Sequence, residues 1–492
     1  MLNKLPKLKR EWLWPMGIFI LALVIRLFFI FVVTEPDNPG AGVFVDTYHR
    51  WQIAYLTREI GWPQEHRLWD LRGFEYLWGV IHPILLNILF SLTGRIDLWL
   101  TRALSALAGS GIAALFYLFG KRFFNVLVGL TTGLFIAFFP FLVFVDVSGS
   151  IEPLSFFLLL AAVWFWPKKP FLTGLLLALA AMTRIEAWIL AMGFLLGLLL
   201  FKFPLEKWVI SLLGFFLPMV IYMKHLVDKT GSAIYPLREY FLGVTQGKWG
   251  GGEGFVFSFD LILILFIAIV VFGLAWLWWK KPKFTPLFLL GFGGLGLSIF
   301  FLSGFRYFLN HLWGVRFIFF PVLFLGFLAS VLLFWCLPRA LSERGQRMRF
   351  YLLVFWFVLL ALSQVLWQSI MPKFNQTAKT WQGIRRVGEK FSQVYDEKGK
   401  VLIPATTGDL TYSLVKYGGL EGKNIVGQEF DVFHYLGEQA SGDQVSEWLK
   451  KEKIAWLIPG KDAYRRLIEE KPEWFSFVGS LNGYRLYLIH LE

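Results

Sequence analysis

Apolar runs of about eighteen residues or more recur from the N-terminus to about residue 370, and runs of that length can cross a bilayer as helices. The first is Trp14–Val33. Others occupy about 78–93, 99–119, 126–145, 150–166, 171–201 (broken by Thr183-Arg184-Ile185-Glu186), 208–223, 261–279, 286–302, 316–337 and 350–370. With 57% hydrophobic residues and a mean hydropathy of +0.58, a soluble protein is excluded. The expectation is a polytopic α-helical membrane protein of about 11–13 transmembrane helices. Trp14–Val33 follows a basic segment and precedes no small-residue cleavage site, so it reads as a retained first span and not a signal peptide.

The net charge of +14 is unevenly placed: from Lys373 onward there are 17 basic and 16 acidic residues, so nearly all the excess lies in the apolar part. Lysines and arginines that hold cytoplasmic loops in place account for such a bias. Sites for lipid phosphates can add to it, and nucleic acid is not an expected partner. Lys4, Lys7, Lys9 and Arg10 put the N-terminus in the cytoplasm. Lys121/Arg122, Lys168/Lys169, Lys202/Lys207, Lys280/Lys281 and the arginines at 339, 344, 347 and 349 fit the same side. The loops 34–77, 146–150, 183–186, 228–260 and 303–314 then fall outside, with everything after Met371. The alternation breaks once. Two apolar runs separate Asp46 from Lys121 where an odd number of crossings is needed, so either one run does not cross or Lys121/Arg122 departs from the rule. Arg26 lies deep in the first span, where snorkelling and an inward-facing partner are both open.

From 373 to 492 the character changes. Short β-rich runs (401–404, 424–427, 454–459, 475–479, 484–490) alternate with helix-like stretches (376–395, 409–416, 443–451, 461–470). That alternation indicates a small α/β domain, here expected to be extracytoplasmic, after a transmembrane domain at 1–372. The single cysteine, Cys336, excludes an intrachain disulfide. The sequence carries no internal repeat, no nucleotide-binding glycine motif and no Gly-x-Ser-x-Gly.

Candidate chemistry gathers on the expected outer face. Val45–Trp51 places Asp46 beside Tyr48, His49 and Arg50 at the head of an amphipathic stretch reaching Ile60, read as an interfacial helix. Asp146 and Glu152 flank a turn, and Arg184 and Glu186 interrupt an apolar run. Tyr235 and the glycines at 250–254 lie in the fourth outer loop, and Arg306, His311 and Arg316 follow. Charged groups at membrane depth cost roughly 2.5–3.5 kcal/mol each, so they are retained for a reason. Such a face suits sugar transfer from a lipid-phosphate carrier. A carboxylate takes the acceptor proton while cations hold the leaving phosphate, and no ATP site is needed.

These stretches resemble the polytopic GT-C glycosyltransferases, which use polyprenyl-phosphate-linked sugars and include the protein O-mannosyltransferases and the aminoarabinose transferases. The resemblance rests on the acid-bearing first outer loop (Asp46 to about Tyr76), Ile81-His82-Pro83-Ile84-Leu85, Pro140…Ser148…Glu152-Pro153-Leu154, Met182-Thr183-Arg184-Ile185-Glu186 and Gly314-Val-Arg316-Phe317…Pro321. It implies an inverting transfer to an acceptor hydroxyl, with Asp46 as catalytic base and Glu152, Arg184 and Arg316 around donor phosphate or acceptor. His49, Arg50, His82, Asp146, Glu186, Tyr235, Arg306 and His311 complete the candidate donor and acceptor site. The expected partners are a polyprenyl-phosphate sugar, a lipid, glycan or protein acceptor, and membrane lipids. Thr47 follows Asp46 where the protein O-mannosyltransferases carry an Asp-Glu pair, which leaves the acceptor class and a divalent cation open. No other cofactor is called for. Two rival readings are a lipid-linked sugar flippase or transporter, and an O-antigen ligase or polymerase with a diphosphate-linked donor that would lean on Arg306 and His311.

Overall fold

A computed structural model describes residues 12–38, 44–60, 79–245, 261–304, 315–340, 345–396, 398–404, 408–428, 431–437, 440–481 and 483–491. The chain divides into two compact units, Met1–Val43 with Arg102–Phe374, and Phe44–Thr101 with Asn375–Glu492.

In chain order the helices of the first part are α1 (Leu13–Phe28, continued by a π-turn Phe29–Val33), α2 (Phe44–Ile60), α3 (Ile81–Thr93), α4 (Trp99–Phe123), α5 (Val126–Phe138) and α6 (Pro140–Val147). Then come α7 (Glu152–Phe165), α8 (Pro170–Ala181), α9 (Glu186–Leu200), α10 (Leu205–Thr230), α11 (Tyr235–Thr245), α12 (Leu261–Lys280), α13 (Thr285–Gly304), α14 (Val315–Val331), α15 (Leu337–Ala340), α16 (Gly345–Ser363) and α17 (Trp367–Phe391). Among the described residues five helical stretches are long and apolar enough to cross a membrane: Leu13–Val33, Trp99–Phe123, Leu205–Asp228, Ile318–Arg339 and Met348–Pro372. A sixth is the α5–α6 pair, bent by 57°. Five shorter apolar helices accompany them. Val32, Leu217, Phe272 and Phe350 are exposed on these helices, an apolar surface that lipid covers.

The bend between α5 and α6 has a local cause. Pro140 has no N–H to continue the ladder, and the preceding Phe139 is pushed to an extended conformation (ψ 119°). Elsewhere small residues let helices approach closely. A Cβ at Gly174 would run into the Ser211 carbonyl, and one at Gly214 into the Phe171 carbonyl, so α8 and α10 meet backbone to backbone.

Arg102 settles the broken alternation. Its guanidinium donates to the carbonyls of Glu35 (2.7 Å), Pro36 (2.9 Å) and Val147 (2.6 Å) and to the Thr34 hydroxyl (2.8 Å). The end of the first span, the start of α4 and the end of α6 therefore share one side of the helical unit. The chain between them makes no net crossing. Helix α3 agrees: thirteen residues extend only about 20 Å against a hydrocarbon core of about 30 Å. At the other end of α4 and at the ends of α12 and α15, basic residues sit on aromatic rings, as in an interfacial belt: Arg122 on Trp164 (5.2 Å), Lys280 on Trp279 (4.5 Å), Arg339 on Trp335 (4.4 Å).

The second unit joins α2 and α3 to the C-terminal α/β fold. Its strands are β1 (Lys400–Ile403), β2 (Ile425–Gly427), β3 (Ile454–Leu457), β4 (Phe475–Leu481) and β5 (Tyr484–Ile489), ordered β2-β1-β3-β5-β4. β1 pairs in parallel with both β2 and β3, and the remaining pairings are antiparallel. Its helices are α18 (Gly408–Lys416), α19 (Val432–Leu436), α20 (Gly442–Glu452) and α21 (Asp462–Glu470). The central strands are buried and read as unbroken apolar runs, as parallel strands covered by helices must. Leu402, Val426, Leu457, Val445, Leu449, Tyr464 and Tyr487 form the core. Helix α20 opens on a capping box between Ser441 and Gln444, the signature readable at Ser441-x-x-Gln444.

Candidate functional site

In the helical unit the polar groups expected at the outer turns separate into two clusters. Arg26, wholly buried on α1, places Nε 2.7 Å and a terminal nitrogen 2.5 Å from Oδ2 of Asp146. It also donates to the carbonyls of Ala22 (3.0 Å), Ile136 (3.1 Å) and Ala137 (3.4 Å). The inward-facing partner of Arg26 is therefore Asp146, brought round by the bend at Pro140. Gly109 leaves the room for it, since a Cβ there would overlap the Asp146 carboxylate.

The second cluster sits where α7 and α9 begin. Glu152 is the first residue of α7 and Glu186 the first of α9, positions where a carboxylate favours the helix dipole. Arg184, in the turn between α8 and α9, fills its fork with both: one terminal nitrogen bonds Glu152, while the other and Nε bond Glu186 at 2.5 and 2.9 Å. The Ser150 hydroxyl donates to the second oxygen of Glu152. A cleft of about 30 Å³, room for a water or two, opens beside the cluster and is lined by Glu152, Arg184, Glu186, Ser155, Ser298 and Phe320 among others. Neither Arg102 nor the Arg26 pairing was assigned from sequence. An arginine early in a long apolar run was the available signal for the first.

In the second unit Asp46 lies in the first turn of α2, 3% exposed, with the Arg50 guanidinium 3.7 Å away one turn on. Arg50 is wholly buried. His49 is buried beside them, and burial, the largest influence, pulls its imidazole down to about 4 against the pull of Asp46. It is neutral at physiological pH, a hydrogen-bonding group and not a cation. His82 is buried in the first turn of α3, which packs on α2. Trp51 donates its indole N–H to the Ile96 carbonyl (2.5 Å), tying α2 to the segment before α4.

Asp46, His49, Arg50 and His82 are thus together in one unit, and Glu152, Arg184 and Glu186 in the other. Asp146 stands with Arg26. Tyr235 is buried at the start of α11. The glycines at 250–254, Arg306 and His311 lie outside the described residues. Arg316 is in α14, its side chain outside them. No group of three or more His, Cys, Asp or Glu side chains suited to a metal is found among the described residues. Glu152 and Glu186 both converge on the Arg184 guanidinium.

A polytopic helical unit followed by a small α/β domain is a fold that the chain shares with solved proteins. In particular, the chain matches ArnT, an aminoarabinose transferase, from Cupriavidus metallidurans bound to undecaprenyl phosphate, with a TM-score of 0.61 and 15% identity over 96% of this chain and 98% of that one. The apo state of the same protein matches at 0.55 with 14% identity and the same coverage. The oligosaccharyltransferase AglB from Archaeoglobus fulgidus, in complex with an inhibitory peptide and a dolichol-phosphate, matches at 0.53 with 12% identity over 91% of this chain and 69% of that one. At these identities the likeness is one of fold. No protein-family model matches the chain, and no curated protein matches it by sequence.

Proposed function

We propose that this protein is an integral inner-membrane glycosyltransferase that moves a sugar from a polyprenyl-phosphate-linked donor to an acceptor hydroxyl on the extracytoplasmic face. The observation that carries the reading is a buried carboxylate, Asp46, held beside a buried arginine in a chain with the fold of a protein solved with undecaprenyl phosphate bound. Asp46 takes the proton of the acceptor hydroxyl as its oxygen attacks the anomeric carbon. The bond from that carbon to the phosphate oxygen breaks with inversion, and the electron pair leaves on the phosphate. The carrier monophosphate departs already charged, so no nucleotide is consumed. Cationic side chains stabilise it, for which Arg50 and Arg316 are the candidates, because bidentate geometry favours arginine. His49 and His82 supply hydrogen bonds.

The Glu152–Arg184–Glu186 cluster suits a different task. Its guanidinium is already shared by two carboxylates, and carboxylate oxygens lining a cleft can accept from the hydroxyl donors of a sugar or acceptor. We assign it to the polyol part of the donor or acceptor. Asp146, bound to Arg26, holds the bend at the head of α6. The C-terminal domain is assigned to the extracytoplasmic side, a reading supported by the basic residues at the N-terminus, expected to lie in the cytoplasm, the single span before residue 34 and the absence of a net crossing before Arg102.

The purified protein in lipid nanodiscs tests this with undecaprenyl-phosphate sugars and matched undecaprenyl-diphosphate sugars, and a membrane lipid and glycan extract as acceptor. Release of undecaprenyl phosphate from the monophosphate series alone is expected. Turnover of the diphosphate series alone would instead support the ligase or polymerase reading. Movement of donor across proteoliposomes without bond cleavage would support the flippase reading.

A further inference from the structure

Helix α18 has three consecutive polar residues, Thr411, Tyr412 and Ser413, all with no exposed surface. A helix so buried must have both sides covered, and its hydrogen bonds show by what. Toward α17 the Ser413 hydroxyl accepts from the Gly388 N–H (2.8 Å) and donates to the Ile384 carbonyl. Toward α2 the Thr411 hydroxyl accepts from Gln52 Nε2 (2.9 Å), and the Tyr412 ring stands edge-on to Trp51 (4.7 Å) and tilted on Tyr48 (5.2 Å). The Tyr412 hydroxyl accepts from the Leu98 N–H (3.2 Å). At the head of α18 a Cβ on Gly408 would stand 2.6 Å from the backbone nitrogen of His49 and 2.7 Å from the carbonyl carbon of Tyr48. Further along, the Gly422 N–H donates to the Tyr55 hydroxyl (3.1 Å), and a Cβ on Gly422 would stand 2.8 Å from Cβ of Glu59.

These contacts follow one stripe of α2: Tyr48, Gln52, Tyr55 and Glu59, spaced four, three and four residues apart. At about 100° per residue, Asp46 and Arg50 lie roughly 160° to either side of Tyr48, on the far face. The C-terminal domain therefore grips the back of the helix whose front carries the acid and its arginine. We propose that Gly408, Thr411 and Tyr412 are positioning residues that set the rotation and axial height of α2, and through them the C-terminal domain places the Asp46 carboxylate for proton transfer. This rests on the reading of Asp46 as the base. It makes the domain part of the catalytic geometry, not a lid or a spacer.

The test uses the full-length protein in nanodiscs with the monophosphate donor that turns over. Gly408→Ala, Thr411→Val, Tyr412→Phe, Asp46→Asn and the exposed control Arg465→Ala are compared by kcat, donor KM, apparent Tm and amide hydrogen exchange across 46–58. Gly408→Ala forces the backbone of α2 to move, and a shift of about 1 Å at a reacting group costs about 100-fold in rate. The expected result is a loss of that order in kcat with unchanged donor KM, faster exchange in α2, and a temperature of assay well below the melting of the variant. Thr411→Val and Tyr412→Phe lose less, in the same parameter, and carry the test if Gly408→Ala does not fold. Arg465→Ala matches the wild type. Folded Gly408→Ala, or Thr411→Val and Tyr412→Phe in its place, with wild-type kcat beside an inactive Asp46→Asn would overturn the positioning role and leave the base assignment standing. Full activity of Asp46→Asn would remove the base itself.

Discussion

Replacing Asp146 by asparagine separates a structural carboxylate from a binding one. Asp146 and Arg26 are 1% and 0% exposed, and the carboxylate is the only ionised partner that Arg26 has among the described contacts. Breaking a buried ion pair from one side typically costs about 3–5 kcal/mol, since the remaining charge stays buried. Three backbone carbonyls still accept from Arg26, which places the cost at the lower end, about 3 kcal/mol. Arg26→Met with Asp146→Leu removes both charges together. Replacing such a pair by apolar residues is often neutral or stabilising, so the double variant regains most of the loss. Apparent Tm in a fixed detergent, measured for Arg26→Met, Asp146→Leu and the double beside Asp146→Asn, reads the cycle directly. Carrier-phosphate release by the double variant then reports the role. Activity near wild type is expected. Refutation would come from a single Asp146→Asn variant as stable as the wild type, or from a stable double variant that has lost turnover.

Three further outcomes follow from the geometry. His49 is held neutral with its titration lowered from 6.5 to about 4, so the unfolded chain binds the extra proton first. Stability is then lost as pH falls through 6.5, by up to about 3 kcal/mol near pH 4. The His49→Gln variant should show a shallower fall of Tm over that window, and parallel curves would refute the buried neutral imidazole. Arg184→Lys replaces a fork that bridges two carboxylates by a point charge that bridges them poorly. Turnover should drop at least about tenfold, equivalent to about 1.4 kcal/mol, with the larger change in KM, and an unchanged KM would contradict the polyol assignment. In a Cys336→Ser background, Glu421→Cys should react with a membrane-impermeant maleimide on intact cells, whereas Lys283→Cys should react only after permeabilisation. The reverse pattern would invert the orientation.

Much of the architecture was legible because it depends on short-range pattern. The stripe from Asp46 to Ile60 is helix α2, the break at Thr183–Glu186 divides α8 from α9, and the five β-rich runs of the tail are its five strands. Long-range pairing was not legible. Nothing within reach of Arg26 in the sequence marks Asp146, 120 residues on, because the bend at Pro140 that joins them is a three-dimensional event. Helix α3 reads as apolar, yet hydropathy carries no statement of length, and thirteen residues fall short of a span. The buried face of α18 misleads for a related reason: Thr411, Tyr412 and Ser413 look like a solvated surface until α2 and α17 cover them. The association of residues 44–101 with 375–492 has no local signature at all.

The most direct measurement is the single-turnover release of undecaprenyl phosphate from the preferred undecaprenyl-phosphate sugar by wild type and Asp46→Asn, with donor binding measured on both. If Asp46 is the base, Asp46→Asn binds donor as the wild type does and loses at least about 100-fold in rate, the contribution of a positioned general base. Equal rates of release would contradict it.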